Sequence, residues 1–130
     1  MDPRPLVIDE IDAGSELVRD FDKFMPVKAA FWLYPSSNDR WLLYIASEDI
    51  DGSSIRRGYR EIWRLTNAMQ NPNLDLFQIK LIGANHPLAT AVLKLHERHS
   101  GTQPIRIGEA TLGRMGINAA YLYPLLASCP

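Results

Sequence analysis

Lys28-Ala-Ala-Phe-Trp-Leu-Tyr34, the polar turn Pro35-Ser-Ser-Asn-Asp39, Trp41-Leu-Leu-Tyr-Ile-Ala-Ser47 and then Glu48-Asp-Ile-Asp51 form the stretch whose reading decides the fold. Two apolar runs separated by turn residues predict a β-hairpin. The second run is apolar at consecutive positions, so both its faces must be covered, which places it inside a sheet with the acidic loop emerging at the sheet's edge. Alternation puts Phe31 and Leu33 on one face and Trp32 and Tyr34 on the other. If only one face carries helices, the exposed aromatics form an interface, and a homodimer through it is expected.

Outward from this hairpin, the periodicities predict a helix on either side. On the N-terminal side, Leu17, Val18, Phe21, Phe24 and Met25 recur at helical spacing from Gly14 until Pro26. Residues 1–13 carry two prolines and four acids among scattered apolar residues, and they read as an extended N-terminal arm. On the C-terminal side, Gly52, Ser53 and Ser54 offer turn and cap chemistry ahead of Ile55, Tyr59, Ile62, Trp63, Thr66 and Met69, which line one side of a second helix. A strand over Leu76–Ile82, a helix opening at His86-Pro87 and closing at Gly101, and a final hairpin over Ile105–Ala110 and Ile117–Tyr123 complete the order.

The expected architecture is therefore an α/β (or α+β) single domain over 1–130, ordered α-β-β-α-β-α-β-β, with one mixed sheet of about five strands and helices packed on it. Room for helical crossovers after Ser47 and after Ile82 leads to the expectation that the three strands they join run parallel. At 130 residues the chain can bury about two-thirds of its unfolded surface without staples. One cysteine, Cys129, points to a reducing compartment, read as the cytoplasm. No apolar run approaches the ~20 residues of a membrane span. Fourteen basic against fifteen acidic residues disfavour a dedicated nucleic-acid binder.

Chemistry in parallel strand-helix units collects beyond the strands' carboxyl ends. Three parallel strands would bring Glu48, Asp49 and Asp51, then His86, then Glu109 to one rim, where they could hold a divalent cation or act as general acid and base. The competing explanation is that these residues cap helices. On the second helix Arg56, Arg57, Arg60 and Arg64 form a basic ridge suited to phosphate or an acidic surface. The first 22 residues, with seven acids and two basic residues, are a possible internal or intersubunit partner for it.

His96 and His99 have the spacing of a paired metal or haem ligand, but no third ligand is defined and haem is not expected; a helix dipole explains them. Gln78-Ile79-Lys80 resembles the strand signature of restriction-endonuclease-like nucleases, although Asp51 lies a whole helix away from where that fold needs its aspartate. Gly108, Gly113 and Arg114 have the spacing of the first part of a phosphate-binding loop, but its lysine and following Ser/Thr are absent, so these glycines are expected in hairpin turns; no nucleophile elbow is present.

The segment Ala30–Ser47, the acidic stretch, Tyr59 with Ile62, and Asn118-Ala119-Ala120-Tyr121-Leu122-Tyr123 resemble a set of small uncharacterised bacterial proteins. The resemblance rests on core and strand residues and implies a stand-alone domain, with no activity or site attached. The leading expectation is a non-catalytic cytoplasmic interaction or regulatory module that self-associates, needing no cofactor. The alternative is a metal-dependent hydrolase or nuclease-like enzyme using the acidic rim.

Overall fold

The computed structural model describes residues 5–37, 40–99 and 101–125. The first residues of the expected arm, the centre of the first hairpin turn, and Cys129 with the tail at 126–130 lie outside the described residues. Three helices, α1 (Ile8–Asp22), α2 (Ile55–Met69) and α3 (Pro87–Arg98), pack on one sheet. Its strands are β1 (Ala29–Pro35), β2 (Leu42–Ser47), β3 (Ile79–Gly83), β4 (Ile105–Ile107), β5 (Ala110–Leu112) and β6 (Met115–Leu122). The spatial order is β3-β2-β1-β6-β4, with β5 also on β6. This is the mixed sheet and the element order the sequence predicts. A sixth strand arises because the chain breaks at Gly108-Glu109, so β4 and β5 pair in series with one long β6.

Every residue of β1 and β2 is buried because both sheet faces are covered. One face joins Trp32, Tyr34, Leu43, Ile45, Leu81 and Tyr121 to Leu17 and Phe21 of α1 and Ile62 of α2. The other joins Phe31, Leu33, Tyr44 and Leu122 to Leu88 and Val92 of α3. The hairpin aromatics are therefore core, and the expected interface through Trp32 and Tyr34 is corrected: Trp32 is fully buried and Tyr34 nearly so. Alternation assigns side chains to faces, but only the path of the helices decides which faces stay wet.

Two further expectations change. The first helix begins at Ile8, not Gly14, so the part of the 1–13 arm from Ile8 onward is helical. Glu10, Ala13 and Gly14 extend its buried stripe, a continuation masked in sequence by the acids between them. In addition, β2 and β3 are parallel, but β4 is antiparallel to β6, which is antiparallel to β1, which is antiparallel to β2. Hence β4 runs against β2 and β3, and the three crossover-joined strands are not all parallel. The α3 crossover carries the chain to the far edge, where β6 offers its open side to an antiparallel partner.

Close approaches fix this arrangement. A Cβ on Gly14 would collide with the Tyr123 hydroxyl, so glycine lets α1 lie against the sheet there. Tyr123 Oη donates to the Ile11 carbonyl (2.6 Å) and accepts from Trp32 Nε1 (2.8 Å), tying α1 to β1. At the sheet's other side, the outward amide of edge strand β3 at Leu81 donates to the Tyr59 hydroxyl of α2 (3.0 Å). A paired edge amide is one fewer template for another chain's strand.

Candidate functional site

The parallel pair β2–β3 sends both its carboxyl ends to one rim, and a cleft of about 740 Å³ opens there. Its walls include Glu48, Asp51 and Gly52 from the loop before α2, Leu81 and Gly83 at the end of β3, and Asn85 with His86 before α3. Three of the five rim residues named from sequence, Glu48, Asp51 and His86, thus meet in one place. Asp49 is exposed and faces a different hollow, shared with Lys28 and Leu93. Glu109 sits exposed in the β4–β5 break, across the whole width of the sheet from β3, because β4 occupies the far edge.

Two of the three residues that meet, Asp51 and His86, are held by the starts of their own helices. Asp51 Oδ1 accepts from the Ser53 amide (2.8 Å), the Ser53 hydroxyl (2.7 Å) and the Ser54 amide (3.0 Å), closing the turn that leads into α2. These bonds hold its carboxyl down at about 2, with the Ser53 hydroxyl the largest cause. His86 is the N-cap of α3, its Nδ1 accepting from the Leu88 amide (3.1 Å). Nδ1 is therefore the unprotonated nitrogen in the neutral ring, and Nε2 carries the hydrogen. Glu48 is exposed and lies 3.4 Å from Lys28. Among the described residues, no three His, Cys, Asp or Glu side chains gather closely enough to hold a metal ion.

The arginine ridge divides in two. Arg64 grips Glu61 through two bonds of 2.6 and 2.8 Å, and this pairing lowers the Glu61 pKa and raises that of Arg64. Arg57 stacks its guanidinium over the Phe24 ring of the α1–β1 loop, 5.9 Å from the centroid. Arg56 and Arg60 remain exposed and have no partner among the described residues. With Trp63 they follow one helical stripe, and Trp63 is 56% exposed. A shallow hollow runs from Trp63 past Asn67 and Leu74 to Leu76, and the next residue along the chain, Phe77, is 75% exposed.

The other sequence candidates resolve structurally. Gln78 is buried, its Nε2 donating to the Trp41 carbonyl (3.2 Å) and its Oε1 accepting from the Asp75 amide (3.2 Å), so it closes the 3-10 turn Leu76–Gln78 onto β2. Gly113 and Arg114, both at positive φ, make the two-residue turn between β5 and β6.

His96 and His99 part company: His96 is 1% exposed and His99 is on the surface. Among the described residues neither His96 nitrogen makes a well-formed hydrogen bond. Burial pulls its pKa down, the nearby Tyr123 backbone opposes this, and His99 adds to it. Sequence reasoning assigned His96 to the helix dipole and missed its burial. The signal was available, because Leu88, Val92 and His96 repeat every four residues along the buried stripe of α3.

Comparison with known proteins finds no family model, no curated protein and no solved structure that matches this chain.

Proposed function

We propose that the protein is a non-catalytic interaction or regulatory module of the cytoplasm that self-associates through the outer face of α2 and the adjoining 3-10 turn. The observation that carries this is the exposure of Trp63 and Phe77, two large aromatic side chains, with Arg60 and Arg56 one and two helical turns before Trp63, exposed and without a partner among the described residues. Aromatic and arginine side chains are the usual anchors of protein interfaces. The exposed acids Asp9, Asp12 and Glu16 of α1 supply opposite charge on a second copy. No helix among the described residues is long and apolar enough to cross a membrane.

Sedimentation velocity tests the reading. The wild-type chain is expected to show a concentration-dependent dimer, weakened by added salt, while the Trp63→Ala, Phe77→Ala double variant sediments as a monomer with unchanged secondary structure. A wild-type chain that stays monomeric up to millimolar concentration overturns it.

One observation favours a second reading, a metal-dependent hydrolase or nuclease-like enzyme: Glu48, Asp51 and His86 share the rim cleft, and His86 Nε2 is not used by the α3 cap. Calorimetric titration with magnesium, manganese and zinc tests it. Binding that is lost in Asp51→Asn supports the enzyme; absence of binding, or binding indifferent to that change, removes it.

A further inference from the structure

A second hollow, of about 240 Å³, lies between α1, the start of β1 and the end of β6. It exists because β1 carries an alanine on its α1 face. Ala30 places only a methyl group where the next positions on that face carry Trp32 and Tyr34, so α1 spans a gap that its residues Ser15, Val18 and Arg19 roof over. Gly14 brings the helix down onto Tyr123 and Trp32 immediately before this gap, and the two Tyr123 hydroxyl bonds hold it there. The walls are Val18, Val27, Ala29, Ala30, Pro124 and Leu125 with the Tyr123 ring, which makes a largely apolar slot.

Among the described residues its charged lining side chains are the cations Arg19 and Lys28, and no Asp or Glu lines it. Arg19 has no hydrogen-bond or ion-pair partner among the described residues. Of the acids close to Arg19 along the chain, Glu16 is exposed, Asp20 lies 3.6 Å from Lys23 and Asp22 accepts from the Val27 amide (2.8 Å), while Glu48 meets Lys28 from the solvent side with its own side chain 71% exposed. An exposed pair of that kind is worth little and yields easily to a better acceptor. The volume falls below the ~300–1,000 Å³ of pockets for drug-sized ligands, which limits the occupant to a single ring or a short chain.

From this combination we infer that the slot binds a small amphipathic monocarboxylate, its apolar body against Ala29, Ala30 and Val18 and its carboxylate between Arg19 and Lys28. A planar guanidinium presents a fork that a carboxylate matches with two parallel bonds, and a lysine adds a point charge. The rim cleft is a poor rival for the same ligand, because Glu48 and Asp51 would repel it.

The experiment is a titration of the full chain with sodium hexanoate and sodium benzoate, followed by thermal unfolding and by amide chemical shifts. Hexylammonium and hexanol are the controls. Both acids are expected to give a saturable rise in melting temperature, with shift changes centred on Ser15, Arg19, Ala29 and Ala30. The controls should give neither. Arg19→Gln and Lys28→Gln should each weaken binding by about tenfold, the loss expected for one charge-assisted hydrogen bond. Ser15→Leu, which fills the slot from the helix side, should abolish it while keeping a dispersed spectrum. Equal responses to hexanol or hexylammonium, shifts centred on Gly83 and Asn85 instead, undiminished affinity in Arg19→Gln, or no response to either acid each overturn the inference.

Discussion

Replacing His96 by leucine is expected to stabilise the protein at neutral pH and to remove a loss of stability on acidification. The neutral imidazole has one N–H donor and one bare nitrogen acceptor. Among the described residues neither makes a well-formed hydrogen bond, at 1% exposure of the residue, and the Tyr123 backbone alone lies placed to favour the charged ring. A buried polar group left unpaired costs about 1–3 kcal/mol, and leucine of similar size continues the stripe of Leu88 and Val92. A gain of about 1–3 kcal/mol is therefore expected above pH ~7.

The pH dependence adds an independent check. Burial, with the nearby His99, holds the folded-state pKa of His96 below the ordinary value of ~6.5. Between the two values the unfolded chain binds the extra proton, so this residue's contribution is fully present above ~6.5 and is lost as pH falls through the folded value. One such proton gives a slope of up to about 1.4 kcal/mol per pH unit. Lys28 and Glu97 line the same hollow with opposite charges, and His96→Leu leaves both in place. Urea unfolding of both proteins across pH ~5 to ~8 reads the effect, since only the wild type carries this slope. Parallel loss of stability in the two proteins, or a leucine variant less stable by more than about 1 kcal/mol at neutral pH, would refute the reasoning.

Other outcomes follow from single contacts. Tyr123→Phe should cost about 1–3 kcal/mol in urea unfolding, because it strands the buried Trp32 N–H and removes the second bond on the Ile11 carbonyl, which the helix itself still satisfies; the first amides to lose exchange protection should be those of α1. Gly113→Ala should cost about 2–4 kcal/mol, combining positive-φ strain with a Cβ placed 2.7 Å from the Pro87 backbone, and its melting temperature measures this. Asp51→Asn should loosen the first turn of α2, seen as faster amide exchange at Ser53, Ser54 and Gly58. In the wild type the carboxylate's contribution is present above ~4 and is lost as pH falls through about 2.

Composition and periodicity by themselves determined the elements and their order, because each element needs a local pattern to bury its own apolar side: the unbroken Trp41–Ser47 run for an inner strand, Ile55, Tyr59 and Ile62 for a helix, the glycine-containing segment Leu112–Gly116 for a hairpin turn. They also determined that Asp51 and His86 stand at helix starts, where capping is what such residues do. Tertiary structure alone decided everything that depends on which strand lies beside which. The direction of β4 removed Glu109 from the rim, coverage of both sheet faces turned Trp32 and Tyr34 into core, and the seating of α1 over Ala30 left a cationic slot. Those outcomes are set by long-range contacts, which no local spacing encodes. The stretch from Lys28 to Asp51 shows both halves: its strands and the turn that holds Asp51 were legible residue by residue, whereas the slot beside Lys28 and the cleft that Asp51 shares were settled by the packing of α1 and of β3.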